Sequence, residues 1–262
     1  MPTPSTSAAA AADNHRPAIV LVAFGTSVDE ARKVFDFIDT QARQRYPGHE
    51  IRWAFTSGFI MRKLKQRGIV THTVAEVVTD LRACGFQRMV FQSLLVVPGQ
   101  EHHSILDADT PGLQVAFGDA LLTSDADIDA TIVALASEID PSIATVVVAH
   151  GNDKHPEFNK QLEVFTTAIE ARFPHLVVAS VEGTPGTAPL EVIRGRKPAV
   201  VHFVPLMIVA GDHIMNDVLG DEDDSWKNTI QAPQTQCSKS LGWNNAILKI
   251  YFDHLDLALA SL

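Results

Sequence analysis

The chain has 262 residues, 46% of them apolar, with 21 basic against 31 acidic side chains for a formal charge of −10. That composition supports a real core in one large or two small domains. It disfavours nucleic acid or an anionic membrane as the main partner, because both are held by a basic face. Cys84 and Cys237 are the only cysteines, and neither belongs to a CxxC pair. A disulfide framework, a thiolate zinc site and an iron–sulfur cluster are thereby disfavoured. Residues 1–16, rich in Pro, Ser, Thr and Ala, read as a disordered tail without the basic and apolar regions of a secretory signal. The longest apolar run, residues 199–210, is broken by His202 and Pro205, so no membrane span is expected and the expected location is cytoplasmic.

In chain order, residues 18–24 form a first buried strand that ends at Gly25-Thr26-Ser27. Val34, Ile38, Ala42 and Tyr46 recur every four residues and predict a helix closed by Pro47-Gly48. A second strand, 51–55, runs into Thr56-Ser57-Gly58, and Val74, Val77, Val78 and Leu81 stripe the next helix. Residues 88–97 and 113–117 are a third and a fourth strand, followed by a helix through Ile128, Ile132, Leu135 and Ile139. Strands alternating with amphipathic helices imply a parallel sheet covered on both faces.

From Ala144 the same plan begins again. An apolar run over 144–149 reaches His150-Gly151, as the first strand reaches Phe24-Gly25. Phe158, Leu162, Phe165, Ile169 and Phe173 stripe the helix, and Arg172-Phe173-Pro174 answers Arg45-Tyr46-Pro47. Residues 176–181 answer 51–55, with Glu182 falling opposite Thr56. Residues 200–209 lead to Gly211-Asp212-His213 as the earlier strand leads to Gly99-Gln100-Glu101. A last helix through Leu248, Tyr251, Leu255 and Leu259 mirrors the one at 128–139. The duplication predicts two similar α/β halves, 17–123 and 124–262, facing each other across a cleft.

The halves differ at their strand ends. Where the first has Phe24, Thr56 and Glu101, the second has His150, Glu182 and His213. Neighbouring strand ends can converge on one point, and chemistry in open α/β sheets collects there. Two imidazoles and a carboxylate suit Co²⁺, Fe²⁺, Ni²⁺ or Zn²⁺, or acid–base work. Each residue also has a structural alternative: His150 as a hydrogen-bonded strand end, Glu182 as a turn cap before Gly183, His213 as a first-turn helix residue. The pair His102-His103 is expected at the surface, and His155 before Pro156 at a helix start. Residues 221–224 suggest a solvated acidic loop, and Arg62, Lys63, Lys65 and Arg67 a solvated helix face. No G-x-G-x-x-G, G-x-x-x-x-G-K-[ST] or G-x-S-x-G motif occurs, which disfavours dinucleotide, P-loop and serine-hydrolase chemistry.

With these residues in hand, the chain resembles the anaerobic sirohydrochlorin cobaltochelatase family within the class II tetrapyrrole chelatases. The resemblance rests on Val-Ala-Phe-Gly-Thr-Ser27, Val-Val-Ala-His150-Gly-Asn, Val-Glu182-Gly, Val-Pro205-Leu-Met, Ala-Gly-Asp-His213 and Trp243-Asn-Asn-Ala-Ile, and it runs from Pro17 to the C-terminus. The last stretch departs from the Gly-Glu-Asn-Pro-like pattern of relatives, at the edge of the fold.

The resemblance implies two flavodoxin-like halves and a metal held by His150, Glu182 and His213, which would also be catalytic. It implies insertion of Co²⁺ into sirohydrochlorin, with Gly25, Thr26, Ser27, Ser57 and Gly58 seating the substrate from the opposite half. Arg52, Arg62, Lys63 and Lys65 are candidates for meeting the substrate carboxylates. Insertion of Fe²⁺ for sirohaem fits the same ligand set. A metal or tetrapyrrole carrier without turnover is the alternative of another class. A homo-oligomer is compatible with the chain.

Overall fold

The computed structural model describes residues 14–262, and most of the expected tail lies outside them. Residues 14–16 precede the first strand. Arg88 donates to the His15 carbonyl and Arg16 to that of Pro47.

The first half runs β1 (Ala18–Ala23), α1 (Asp29–Arg45), β2 (Ile51–Phe55), α2 (Gly58–Gln66), α3 (Val74–Ala83), β3 (Arg88–Ser93), α4 (Gln100–Leu106) and β4 (Gln114–Gly118). After α5 (Asp125–Leu135) the second half runs β5 (Ala144–Ala149), α6 (Lys160–Arg172), β6 (Leu176–Ser180), α7 (Pro189–Gly195), β7 (Val200–Pro205), α8 (Trp226–Ile230), β8 (Gln234–Cys237) and α9 (Asn245–Ala260). The strands form two four-stranded sheets, ordered β2-β1-β3-β4 and β6-β5-β7-β8, with every pair parallel. The expected pair of parallel α/β halves is what the chain forms.

Backbone hydrogen bonds fix how the halves correspond. Leu94 donates to Val22 as Leu206 does to Val148, and His103 donates to Gly99 as Met215 does to Gly211. His213 is therefore the counterpart of Glu101, as the sequence suggests. The Ser57 amide bonds the Phe24 carbonyl just as the Glu182 amide bonds that of His150. The counterpart of Glu182 is thus Ser57, one residue on from the Thr56 expected.

Alternation along each strand sorts its side chains into two layers. Ala18, Val20 and Val22 pack with Val77, Leu81, Met89 and Ile105 on one face of the first sheet. Val146 and Val148 pack with Leu190, Ile193, Phe203 and Trp226 on one face of the second. The other faces meet in a single core in which Ile19, Leu21 and Ala23 join Val147 and Ala149 through Ile38, Ile132, Phe165, Tyr251 and Leu255. The closing helix lies on the first sheet, across β3 and β4 and against α5. Its Tyr251 hydroxyl donates to Leu95 O at 2.9 Å, and His254 bridges Asp119 O and Asp127 Oδ1 at 3.2 and 2.9 Å.

Candidate metal centre

In a sheet ordered β6-β5-β7, the chain crosses between β5 and β7, and the crevice at their carboxyl ends is the natural ligand position. His150 follows β5 directly, and His213 follows β7 after a short loop. Their rings meet at 4.9 Å between centroids, edge to face at 83°.

Each ring is held by its Nδ1. That of His150 lies 2.8 Å from the Gly151 carbonyl, and that of His213 lies 2.6 Å from Asp217 Oδ2. A carbonyl can only accept, so His150 carries its proton on Nδ1. The carboxylate favours the same arrangement in His213. Both rings then present a bare Nε2, the atom that binds a metal or takes a proton. Asp217 sits one turn beyond His213 in a π-helical segment, His213–Val218. Single π turns cluster at functional sites, and a carboxylate behind a ligating imidazole is a recurrent support.

Glu182 follows β6, on the other side of β5 from His213. Its amide donates to His150 O at 2.7 Å. Gly151 stands at φ +75°, where a Cβ would come 1.8 Å from Glu182 O, so only glycine fits between the two loops. Gly183, at φ +64°, meets Asn152 O in the same way. The backbone of Glu182 is thereby fixed beside His150. Among the described residues no three His, Cys, Asp or Glu side chains are gathered closely enough to hold a metal.

The first half supplies the facing wall. Gly25 turns at φ +102°, and Thr26 and Ser27 are buried. Thr26 Oγ1 lies 3.0 Å from where a Cβ of Gly211 would stand, so this loop abuts the one carrying His213. Ser57 is buried and caps α2, accepting from the Ile60 amide, while Gly58 opens that helix. The Thr26 hydroxyl accepts from the Val28 amide. These hydroxyls shape the wall while serving local turns. Phe24, the counterpart of His150, is 43% exposed beside them.

Several expectations are revised. His102 is only 4% exposed rather than at the surface; burial lowers its pKa and its Nδ1 makes no hydrogen bond among the described residues. His103 does lie outward, with its ring 5.5 Å from Phe158 of the other half. His155 opens the short turn at Pro156–Asn159, its amide bonded to Asn152 Oδ1, as expected of a helix start. Arg52 pairs with Glu50 and Arg67 with Asp29 and the Ser27 carbonyl. Cavities of about 400 and 490 Å³ flank Trp53 and Phe55 at the β2 edge, and His150, Glu182 and His213 line neither. Asp217 was missed, although a His-x-x-x-Asp spacing on a helix was its one available signal.

The family model described as Cobalt chelatase (CbiK) matches residues 17–260. The chain belongs to the cobalt chelatase family. Among relatives of this chelatase, the sirohydrochlorin cobaltochelatase of Salmonella typhimurium is 35% identical over 259 residues, covering 93% of this chain and 97% of the relative. The sirohydrochlorin cobaltochelatase CbiKC of Nitratidesulfovibrio vulgaris is 26% identical, over 93% and 91% of the two chains. SirB from Bacillus subtilis, solved with Fe³⁺, shares the fold at a TM-score of 0.65 and 12% identity, covering 94% of this chain and 96% of that one. CbiX, described as the terminal enzyme of sirohaem biosynthesis in denitrifying bacteria, shares it at 0.56 and 14% identity, with coverages of 92% and 99%. No helix among the described residues of this chelatase is long and apolar enough to cross a membrane.

Proposed function

We propose that this chelatase inserts Co²⁺ into sirohydrochlorin through the His150–His213 pair. Insertion exchanges the cation for two pyrrole N–H protons while the metal sheds water. It needs a group that can hold the incoming ion and another that can take a proton. Two imidazoles at 4.9 Å, each with Nδ1 engaged, provide both at one point, and that observation carries the reading. His213, its Nδ1 held by the Asp217 carboxylate, is the more firmly oriented ligand of the two. His150, held only by a carbonyl, is the second ligand; once the ion has passed into the macrocycle, its freed Nε2 takes one of the two pyrrole protons and the other leaves to solvent. Glu182 completes the set by rotating its carboxylate toward the crevice from a backbone already bonded to His150. The Gly25-Thr26-Ser27 and Ser57-Gly58 loops seat the macrocycle from the facing half.

The support is the family membership and the two relatives named sirohydrochlorin cobaltochelatase. The test is an anaerobic visible-absorption assay of sirohydrochlorin with Co²⁺, Fe²⁺ and Ni²⁺ offered separately. Wild type is expected to metallate the substrate fastest with Co²⁺, and His150→Ala and His213→Ala each to fall about a hundredfold or more. Undiminished activity in both variants would remove these residues from the reaction.

A further inference from the structure

The substrate of the proposed reaction is a polycarboxylate, whereas the chain carries a formal charge of −10. Some local positive charge must therefore meet the carboxylates near the imidazole pair. Of the basic side chains in and around α2, the structure separates those already committed from those poised. Arg67 is drawn away by Asp29 and the Ser27 carbonyl, where it braces the loop after β1. Arg52 is held by Glu50 on the edge strand. Lys63 is placed differently. Its Nζ reaches across to the other half and lies 3.7 Å from Asp212 Oδ2, one residue before His213.

That pair is loose. Both side chains are about half exposed, at 46% and 52%, and 3.7 Å is too long for a hydrogen bond. Exposed pairs of this geometry are weak and screened by salt. The surrounding backbone is not loose. Ser57 caps the start of α2, Leu64 anchors it in the core, and Gly211 abuts Thr26 directly. A half-exposed ammonium is thus carried on an anchored helix beside the loop of His213, facing a carboxylate that a better acceptor can replace.

We infer that Lys63 exchanges Asp212 for a carboxylate of the tetrapyrrole, so that Asp212 and the substrate compete for the lysine. The inference rests on the His150–His213 reading of the site. It follows that removing the lysine weakens substrate binding, while removing the competing charge strengthens it. Arginine at position 63 keeps the charge and reaches as far.

Steady-state Co²⁺ insertion with sirohydrochlorin as the varied substrate decides it. Lys63→Ala is expected to raise KM about tenfold, the worth of one charge-assisted hydrogen bond, with kcat falling less than twofold. Lys63→Arg should restore KM. Asp212→Asn should lower KM, and the double variant should match Lys63→Ala. A KM unchanged in Lys63→Ala overturns the inference. So does a rise in KM in Asp212→Asn equal to that in Lys63→Ala, because the pair would then be a simple tie between the halves. His150→Ala and His213→Ala are run alongside. If those keep full kcat, the reading of the site fails; if they lose it while Lys63→Ala keeps its KM, only the exchange at Lys63 fails.

Discussion

Asp217 Oδ2 lies 2.6 Å from His213 Nδ1, and it is through that imidazole that it acts on the chemistry. Removing it leaves the ring free to turn away from the crevice. Asp217→Ala is expected to weaken Co²⁺ binding to the free protein about 10–100-fold, read by anaerobic calorimetric titration. Because Asp217 is exposed, the melting temperature should hardly move. An affinity equal to wild type would show that His213 needs no such support. His150 and His213 were legible in the sequence because both stand at the ends of unmistakable apolar strands. Asp217 was not, since its role depends on a π-helical turn that hydrophobic periodicity does not announce. The match of Glu182 to Thr56 slipped by one residue for a related reason. Pattern aligns strands, but only the amide bonds to Phe24 and His150 set the register of the turns that follow.

Gly151 carries the fold of the site at the level of the element. A methyl group there meets the Glu182 carbonyl at 1.8 Å in a left-handed conformation that alanine disfavours. Gly151→Ala should cost about 3 kcal/mol or more of stability, seen in urea unfolding, and should separate the His150 and Glu182 loops so that metal insertion is lost. A variant of wild-type stability would mean that the two loops do not need this contact. Among the secondary elements, long apolar strands and striped helices were readable. The helix α2 showed only as a charged face at Arg62, Lys63, Lys65 and Arg67, while the short helices α4 and α8 and the exposed, polar strand β8 were not readable, because each has too few buried positions to show a period. The stripe of α9 predicts that it packs, yet cannot say on which sheet. In the structure it crosses to the first sheet, where Tyr251 meets Leu95 O. Tyr251→Phe should cost about 0.5–1.5 kcal/mol, because Leu95 O keeps its bond from the Leu121 amide and loses only the hydroxyl, while leaving the rate of Co²⁺ insertion within about twofold; the same unfolding measurement checks it.

At the scale of the whole molecule, the shared core makes the two halves a single clamp rather than two beads on a string. The duplication was legible, but this joining was not, since nothing in a local pattern tells which faces of two sheets will merge. Two histidines, His102 buried and His202 half-buried, give the assembly a pH dependence. Burial lowers the pKa of His102 and of His202 from the usual 6.5, with Asp119 and Glu138 respectively opposing the shift and His103 adding to it at His102. Below 6.5 the unfolded chain therefore binds protons that the folded one still refuses. Unfolding is favoured as pH falls through that window, and the contribution is complete above it. The melting temperature should decline below about pH 6.5, and His102→Gln should flatten part of that decline. A melting temperature constant from pH 7.5 to 5.5 would show that neither ring is shielded from water in solution.

The centre of the account is that the bare Nε2 atoms of His150 and His213 share one cation. Anomalous diffraction at the cobalt edge, from anaerobic crystals grown with Co²⁺, addresses it directly. The expected result is a single strong peak about 2.0–2.2 Å from both Nε2 atoms, a bonding distance for imidazole nitrogen to a divalent ion of this size. A peak bound elsewhere, with the crevice between β5 and β7 left without cobalt, would contradict it.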